Sequence, residues 1–375
     1  MVELNTSIRG TLLVVTGTCP DGHVLNWQSQ PLVRDMGAGN LMVAAAILFC
    51  GLTFTGISNL AKLLNLAMFS ESSFYRLQKE YLFPVIHTNY VMQQDAVLEF
   101  LRDNDLKLSG DGQCDSPGYS VKYCTYSLMD SVTDLILDYK LIQSSETGSS
   151  VAMEKEGLRR SLNYLLERGV SIVTIATDRH RGVGALMKSD YPHISHQYDV
   201  WHMAKSVVKQ LTQKGKLKHC ERLLPWIQSI SNHLWWAAQI CNGDAQLLTE
   251  KWTSIVYHVS NIHEWNGGKD SKFNKCVHPT LPSEEQRSKK WLRSGSLVHR
   301  TLKNVVYNKT LLWDIKKLTG FQHTGALEVF HSLLLKYCPK RQHFSYIGMQ
   351  ARIELAILDH NYNANRKQAT TKKGM

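Results

Sequence analysis

The spacing of apolar residues changes along the chain, and these changes predict its main segments. Residues 39–101 carry apolar positions at helical spacing, interrupted by short polar breaks. Residues 102–212 alternate between strand-like runs rich in β-branched and aromatic residues and amphipathic helical stretches. Residues 213–322 are again patterned as helix, with no strong strand. Two further helices are predicted within residues 323–362, over 324–337 and 348–358.

The two ends of the chain lack such a pattern. Residues 1–38 contain clusters of Gly, Pro and polar side chains, so we expect an irregular segment. Cys19 and His23 lie there, but they make only half of a zinc site, which favours an ordinary loop. Residues 363–375 are basic and have few apolar side chains, which is typical of a disordered tail.

The middle of the chain predicts a mixed sheet. The predicted elements, in order, are strands 106–111, 121–130 and 135–143, helix 152–168, strand 171–177, helix 180–189, strand 193–200 and helix 201–211. A right-handed crossover through helix 152–168 would make the first and fourth strands parallel neighbours. This order resembles a ribonuclease H-like domain. We therefore predict an α/β fold with a mixed five-stranded sheet flanked by helices, a large all-α insertion and an N-terminal helical domain.

Acidic residues follow the two strands that this topology places side by side. Asp111 ends the first strand and Asp178 ends the fourth, so both carboxylates would emerge at one edge of the sheet. Carboxylates held close together repel each other unless a cation lies between them, and Mg²⁺ prefers such oxygen ligands. Glu328, on the predicted helix 324–337, is our choice for a third acid. With three acids, two ions about 3.5–4 Å apart could serve a phosphodiester displacement.

Other assignments of the acids stay open. Asp115 is a rival for the first position, and Glu264 is a second candidate for the third. Each acid also has an ordinary structural explanation, because Asp at a strand end often begins a turn and Glu is favoured in the first turn of a helix. A metal site is favoured by the order of the acids, on strand one, strand four and a late helix.

Charge favours a polyanionic partner. The 43 Lys and Arg residues exceed the 32 Asp and Glu residues, which gives a formal net charge of +11. Three short helices within residues 39–90 suggest a helix-turn-helix whose last helix, with Arg76 and Lys79, would contact DNA. A helical cap on the next domain is the alternative. Lys205 and Lys209 suit a DNA backbone channel or a solvated helix face.

The cysteines and the apolar runs bear on compartment and on metal. Eight scattered cysteines without framework spacing suit a reducing compartment. The longest apolar run, 41–54, has 14 residues, fewer than the roughly 20 that span a bilayer, so no membrane partner is expected. Cys276 and His278, with His258 or His263 nearby, are zinc candidates. Their one-residue spacing is unusual for a zinc finger, which favours no zinc there.

Four segments carry a family resemblance. LSGDGQCDSPGYSVKYCTYSLMD, IATDRH, HQYDVWHMAKSV and HTGALEVFHSLLLKYCPKR resemble the landmarks of DDE-type transposases, near the Mutator-like, hAT-like and related branches. The resemblance runs over residues 106–361. It implies that Asp111, Asp178 and Glu328 form a metal-binding triad and that residues 213–322 are a helical insertion.

The resemblance also implies an activity. Bound Mg²⁺, or Mn²⁺, would activate water and then a DNA 3′-hydroxyl for strand cleavage and transfer, in a nuclear protein that is homo-oligomeric when active. His202 and Asp199 would lie near the same edge, where His202 orients the site, contacts DNA or is structural. The chain departs from many relatives because no full zinc-finger module precedes the core, which puts sequence-specific end binding in doubt. A silent, domesticated DNA-binding protein and another metal-dependent nuclease on the same fold are the alternatives.

Overall fold

The computed structural model describes residues 2–279, 281–367 and 370. The strands are β1 (Glu3–Arg9), β2 (Leu12–Thr18), β3 (Val24–Gln28), β4 (Leu32–Val33), β5 (Met36–Gly37), β6 (Leu106–Cys114), β7 (Tyr123–Asp130), β8 (Ile136–Gln143), β9 (Ile172–Thr177) and β10 (Ser195–Tyr198). The helices of the first half are α1 (Ala38–Phe49), α2 (Phe54–Leu63), α3 (Glu71–Leu77), α4 (Phe83–Leu101), α5 (Ser144–Thr147), α6 (Ser150–Glu167) and α7 (Arg181–Asp190).

The second half of the chain is helical. Its helices are α8 (Val200–Gly215), α9 (Ile227–Gln239), α10 (Ala245–Thr253), α11 (Ile255–His258), α12 (Ser283–Ser288), α13 (Leu297–Val306), α14 (Lys309–Ile315), α15 (Gly325–Tyr337) and α16 (Tyr346–Asn363). The helical prediction for residues 213–322 and 323–362 is therefore confirmed. Residues 368, 369 and 371–375 of the predicted tail lie outside the described residues.

The N-terminal segment corrects one prediction. Residues 1–38 were expected to be irregular, and this is wrong, because β1, β2 and β3 form an antiparallel sheet. All side chains of β1 and β3 are exposed, so the segment shows no alternation of buried and exposed positions from which strands could be read. Asn40 fastens the sheet to α1, since its Oδ1 accepts a hydrogen bond of 2.7 Å from the Thr11 N–H.

The predicted helices of residues 39–101 are present, with one difference. The last of the three helices expected within residues 39–90 is not short, because a π-helical turn over Gln78–Leu82 joins α3 to α4. The long helix buries Phe74 on its inner side and leaves Arg76 and Lys79 exposed. A groove-binding role for this helix stays a prediction.

The central sheet is mixed and has the strand order β10-β9-β6-β7-β8. β7 runs antiparallel to both of its neighbours, whereas β6, β9 and β10 are parallel. The predicted parallel pairing of the first and fourth strands is confirmed. Gly110 on β6 lies opposite Thr177 on β9, so the acids that follow them, Asp111 and Asp178, emerge at the same edge.

Helices cover both faces of this sheet. Leu158, Leu162 and Leu165 of α6 pack with the sheet and α7 on one side, where all three are fully buried. On the other side α4, α15 and α16 bury Phe330 and Ile357 against β7 and β8. The result is a three-layer arrangement in which α15 crosses the sheet face next to β6.

The helical insertion has its own core and is anchored to the sheet. Trp252 is fully buried in this core, and α8 contributes Val207 and Leu211 to it. Two contacts fix the insertion at the edge that carries Asp178. The Arg179 Nε donates to Asp314 Oδ2 over 2.6 Å, and the Gly320 N–H donates to Gln197 Oε1 over 2.9 Å. None of the described helices is long and apolar enough to cross a membrane.

The packing of α6 on β7 leaves no room for a side chain at Gly157. A Cβ there would lie 2.4 Å from the Cβ of Tyr126, whereas a Cβ at exposed Gly56 of α2 would meet its nearest neighbour at 3.6 Å. We predict that Gly157→Ala lowers the unfolding free energy by about 1–3 kcal/mol through overpacking. Gly56→Ala is the control and is expected to be neutral or stabilising by up to about 1 kcal/mol, because Ala favours helix. Thermal unfolding of both variants tests this, and equal shifts would contradict the packing described.

Candidate active site

The three predicted acids converge at one edge of the sheet, and two histidines lie between them. Asp111 lies within β6, which was expected to end there but continues to Cys114. Asp178 directly follows β9, and Glu328 lies in the first turn of α15. His202 of α8 contacts two of these carboxylates and His331 of α15 contacts the third. Residues that are distant in sequence thus form one acid–histidine cluster.

Asp111 is held by its own backbone and by α15. The N–H of Gly112 donates to its Oδ1 over 2.8 Å, and its Oδ2 lies 3.3 Å from Nδ1 of His331. The His331 side chain is only 9% exposed. Its other ring nitrogen, Nε2, is buried and has no hydrogen-bond partner among the described residues.

His202 lies between the other two acids. Its Nε2 is 3.1 Å from Oδ1 of Asp178 and 3.3 Å from Oε1 of Glu328. Although the distance to Asp178 is short, the contact lies outside hydrogen-bond geometry, and both atoms are buried without a hydrogen-bond partner in the described chain. These groups are close together but poorly satisfied, which is costly in a protein interior.

A fourth acid, Glu154 of α6, joins the cluster and was missed in the sequence. A Cβ on Gly112 would lie 2.7 Å from its Cγ, so Glu154 packs directly against the strand that carries Asp111. Burial, and then repulsion by Asp111 and Asp178, raises the pKa of Glu154 to about 7. The signal was its spacing, because Glu154 precedes the buried Leu158 by one helical turn and continues the same face.

The same environment acts on Asp178. Burial raises its pKa to about 6, with repulsion by Asp111 as the next cause, while His202 acts in the opposite direction. A pair of carboxyl groups with raised pKa values in a cleft is a frequent property of functional sites. Metal binding would relieve the repulsion.

A cleft of about 670 Å³ opens beside the acids. Asp111, Glu154, Glu328 and His331 line it, and Lys340 and Arg341 lie at it as well. The two basic residues directly follow α15, in the segment CPKR, and they were not singled out in the sequence. The cleft therefore combines an acidic floor with two cations, as a phosphate-containing substrate would require.

Asp199 fixes the two helices that carry His202 and Glu328. Its Oδ1 accepts from the His202 N–H over 2.8 Å and so caps α8, and its Oδ2 accepts from the Thr324 N–H over 2.6 Å at the start of α15. Asp199 is only 1% exposed. One buried carboxylate thus sets the relative position of both helix starts.

The rival acids lie elsewhere. Asp115 does not line the cleft, and its Oδ1 accepts a hydrogen bond of 3.1 Å from the Lys122 N–H. Glu264 lies in the insertion, where it is exposed and pairs with Lys275 in an isolated β-bridge. The geometry favours Asp111 and Glu328 over these alternatives.

The predicted DNA-binding residues are distributed over two surfaces. Lys205 and Lys209 are exposed on α8, and the Lys205 Nζ lies 4.1 Å from the ring centre of Trp201. The two lysines follow His202 by three and seven residues, so they lie on the same side of α8 as the imidazole that contacts the acids. Arg76 and Lys79 are exposed on the N-terminal helices and line no part of the acid cleft.

Among the described residues, two groups of three or more metal-binding side chains place their ligand atoms within 4.8 Å of one another. Both include a cysteine, and the described acids at the sheet edge do not form such a group. His258, His263, Cys276 and His278 place one ligand atom each within 4.8 Å of one another, and so do Cys19, Asp21 and His23. The sequence had favoured no zinc at Cys276 and His278, and the structure shows that two further histidines reach them. Burial, with His263 as the next cause, lowers the pKa of His258 to about 4, so its imidazole is neutral.

No family model matches the chain, and no curated protein matches it either. The fold and the site define a mixed α/β protein with an acid–histidine cluster at the edge of its central sheet.

We predict that Glu154→Gln raises the melting temperature by a few degrees at pH 8 but not at pH 4. The pKa of Glu154 is raised from 4.5 to about 7 by folding. The folded state therefore binds the proton more tightly, and the stability that this contributes is lost as pH rises from about 4.5 to 7. Gln mimics the protonated acid, so its advantage appears over the same window.

Glu167→Gln is the matched control, because Glu167 is exposed at the end of the same helix. Melting curves at both pH values compare each variant with the unmodified protein. A Glu154→Gln shift that is equal at pH 4 and pH 8 would contradict the raised pKa.

We predict that Asp199→Asn lowers the unfolding free energy by about 1–3 kcal/mol, because an amide nitrogen would replace one of two buried acceptors. Asp244 is the control, since a single oxygen, Oδ1, caps α10 and Asn retains that oxygen. Within the described chain, the Asp244 Oδ2 pairs only with the exposed Lys272, and a surface ion pair contributes little to stability. Thermal unfolding measures both. If Asp199→Asn and Asp244→Asn lower the unfolding free energy equally, the contacts of Asp199 with the starts of α8 and α15 do not hold these helices together.

Proposed function

We propose that this chain is a transposase, or a protein derived from one, that binds DNA and cleaves and transfers its strands with a divalent metal ion. The observation that carries the proposal is the convergence of Asp111, Asp178 and Glu328, on strand one, strand four and a late helix, at one edge of the sheet. His202 lies between the last two, which places their carboxylates on either side of one small volume.

The proposal includes a ribonuclease H-like core. Its support is the strand order β10-β9-β6-β7-β8, in which only β7 is antiparallel, together with the helix α6 that crosses between β8 and β9. The all-helical residues 213–322 then interrupt this core before the helix of the third acid. That is the arrangement that the resemblance to DDE-type transposases implies.

The types of residue present suit Mg²⁺ or Mn²⁺, and the three acids would have to move closer together to share one ion. Carboxylate oxygens are the ligands such hard ions prefer. Asp111, Glu154 and Glu328 line the cleft, and Asp178 lies beside it, where His202 contacts both Asp178 and Glu328. Oδ1 of Asp178 is buried without a hydrogen-bond partner in the described chain, so it is free to bind a cation. The pKa values of Asp178 and Glu154 are raised first by burial and then by repulsion from Asp111, and a cation would oppose both effects.

The acids and their neighbours divide the work. A bound divalent ion would lower the pKa of the attacking water or hydroxyl and stabilise the charge on the leaving oxygen. Asp111, Asp178 and Glu328 would bind it, while Asp199 keeps the helices of His202 and Glu328 in place. Glu154, with a pKa of about 7, can accept a proton at neutral pH. Lys340 and Arg341 would hold the scissile phosphate.

Binding of the DNA would depend on the basic surplus. Lys205 and Lys209 form an exposed basic stripe on α8, on the same side as His202, so a DNA backbone running along this stripe would reach the acids. Trp201 could stack on a base of a DNA strand, and Lys205, which lies over its ring, could pair with a phosphate. We further propose that the protein acts in the nucleus and as a homo-oligomer, as strand transfer by such enzymes implies.

A silent, domesticated DNA-binding protein is the second candidate, and the position of His202 favours it. Its Nε2 lies 3.1 Å and 3.3 Å from carboxylate oxygens of Asp178 and Glu328, where an ion shared by these two acids would have to lie. If the imidazole is fixed there, cleavage is lost although all acids are retained.

We predict that the purified protein nicks supercoiled DNA with Mg²⁺ or Mn²⁺ and that Asp178→Asn lowers the rate by at least about 100-fold, because a metal-binding carboxylate is removed. The matched control is Asp115→Asn, at the rival acid, which is expected to cut at near the normal rate. Gel conversion of supercoiled to open-circular plasmid measures the rate.

The two candidates give different results in this assay. Equal cutting by Asp178→Asn and the unmodified protein would remove the assigned site. Absence of cutting by the unmodified protein, with DNA binding that weakens as salt rises, would instead support the silent form.

A further inference from the structure

We infer that the helical insertion holds a structural zinc ion bound by His258, His263, Cys276 and His278. This site is independent of the acid cleft and of any cleavage activity. His258 is the last residue of α11, and the other three ligands lie on the long connection between α11 and α12. Their ligand atoms all fall within 4.8 Å of one another.

The distance between the ligand atoms of Cys276 and His258 fits two ligands of one tetrahedral ion. Sγ of Cys276 lies 3.6 Å from Nδ1 of His258. Zinc bonds of about 2.3 Å to sulfur and 2.0–2.1 Å to nitrogen, at a tetrahedral angle, separate two such ligands by about 3.5–3.6 Å. A thiol–imidazole hydrogen bond would explain this pair alone, but it would leave unexplained why His263 and His278 converge on the same point.

Hydrogen bonds fix the protonation of the other two imidazoles. Nδ1 of His278 lies 2.8 Å from the carbonyl oxygen of Pro279, which can only accept, so Nδ1 carries the proton and Nε2 keeps a lone pair. Nε2 of His263 donates to Oδ1 of Asn261 over 3.0 Å, which leaves the lone pair on Nδ1. Zinc-binding histidines are commonly oriented in this way by a partner at the other ring nitrogen.

Both of these lone pairs are unsatisfied. Nδ1 of His263 and Nε2 of His278 are buried and have no hydrogen-bond partner in the described part of the chain. Each buried acceptor without a donor is destabilising. A cation at the point where the two nitrogens meet Cys276 and His258 would satisfy both, and Zn²⁺ is the ion that suits three imidazoles and a thiolate.

The backbone explains the unusual sequence spacing. The N–H of Cys276 donates to the carbonyl of His263 over 2.8 Å, and Glu264 and Lys275 form an antiparallel bridge. His263 and Cys276 therefore face each other across a hairpin-like loop. The ligand spacing of zinc fingers is thus not the relevant comparison for this site. Residues 265–274 have no helix or strand of their own, and the ion would fasten this loop to α11.

Four protein ligands leave no open position for substrate, so the role is structural. Trp226 and Trp291 pack against His258, with ring centres 6.2 Å and 6.0 Å away, and shield one side of the site. The ion would replace the larger hydrophobic core that this loop lacks.

The test begins with zinc content of the purified full-length chain, by elemental mass spectrometry after exhaustive dialysis. We expect one zinc per chain, and we expect Cys276→Ser and His263→Gln to retain less than about a tenth of it, since even loss of a supporting partner weakens such sites about 10–100-fold. Cys50→Ser is the control for an exposed cysteine outside the group and keeps the metal. Cys19→Ser tests the other cysteine-containing group and also keeps it.

Cobalt makes the test independent of how well the variants fold. Replacing the metal with Co²⁺ in the unmodified protein should give the strong visible bands of a tetrahedral ion, together with thiolate-to-cobalt charge transfer. An unmodified protein that retains no zinc, or that shows only the weak spectrum of octahedral cobalt, would overturn the proposal. Loss of the metal in Cys19→Ser but not in Cys276→Ser would overturn it too.

Discussion

The repulsion between carboxylates at the edge of the central sheet is the constraint on which the site depends. Parallel pairing of β6 and β9 forces Asp111 and Asp178 to emerge side by side, and α6 and α15 add Glu154 and Glu328 to the same space. Burial removes the water that would separate these charges. The raised pKa values of Asp178, about 6, and Glu154, about 7, follow from that arrangement.

Much of the surrounding structure holds this unfavourable cluster in place. Asp199 joins the starts of α8 and α15, and the contact of Arg179 with Asp314 anchors the insertion beside Asp178. Because the helical insertion separates the fifth strand from Glu328 in the sequence, the position of Glu328 relative to Asp178 depends on these contacts. These contacts also explain why the insertion has its own core yet shares α8 with the sheet.

The sequence predicted the central fold well, because buried strands and amphipathic helices alternate there with clear periods. It placed Asp111 and Asp178 side by side from topology alone, because β6 and β9 are parallel neighbours, but it ended the first strand at Asp111, whereas β6 continues to Cys114. The prediction failed where the side chains of an element are not buried in a core, because the sequence then shows no hydrophobic pattern. The exposed strands β1 and β3 show no alternation, and Glu154 looked like an ordinary helical acid because only tertiary packing brings α6 against Gly112. The convergence of three histidines on Cys276 could not be predicted from sequence spacing, because a hairpin-like loop brings these side chains together.

The most direct test of the central claim is a crystal structure of the full chain soaked with Mn²⁺, with the ion located by its anomalous signal. The proposed function predicts a peak about 2.1 Å from carboxylate oxygens of Asp111 and Asp178, with His202 displaced from the space between Asp178 and Glu328. A map without a peak at the acids, and with the imidazole unmoved, would contradict a metal-dependent site.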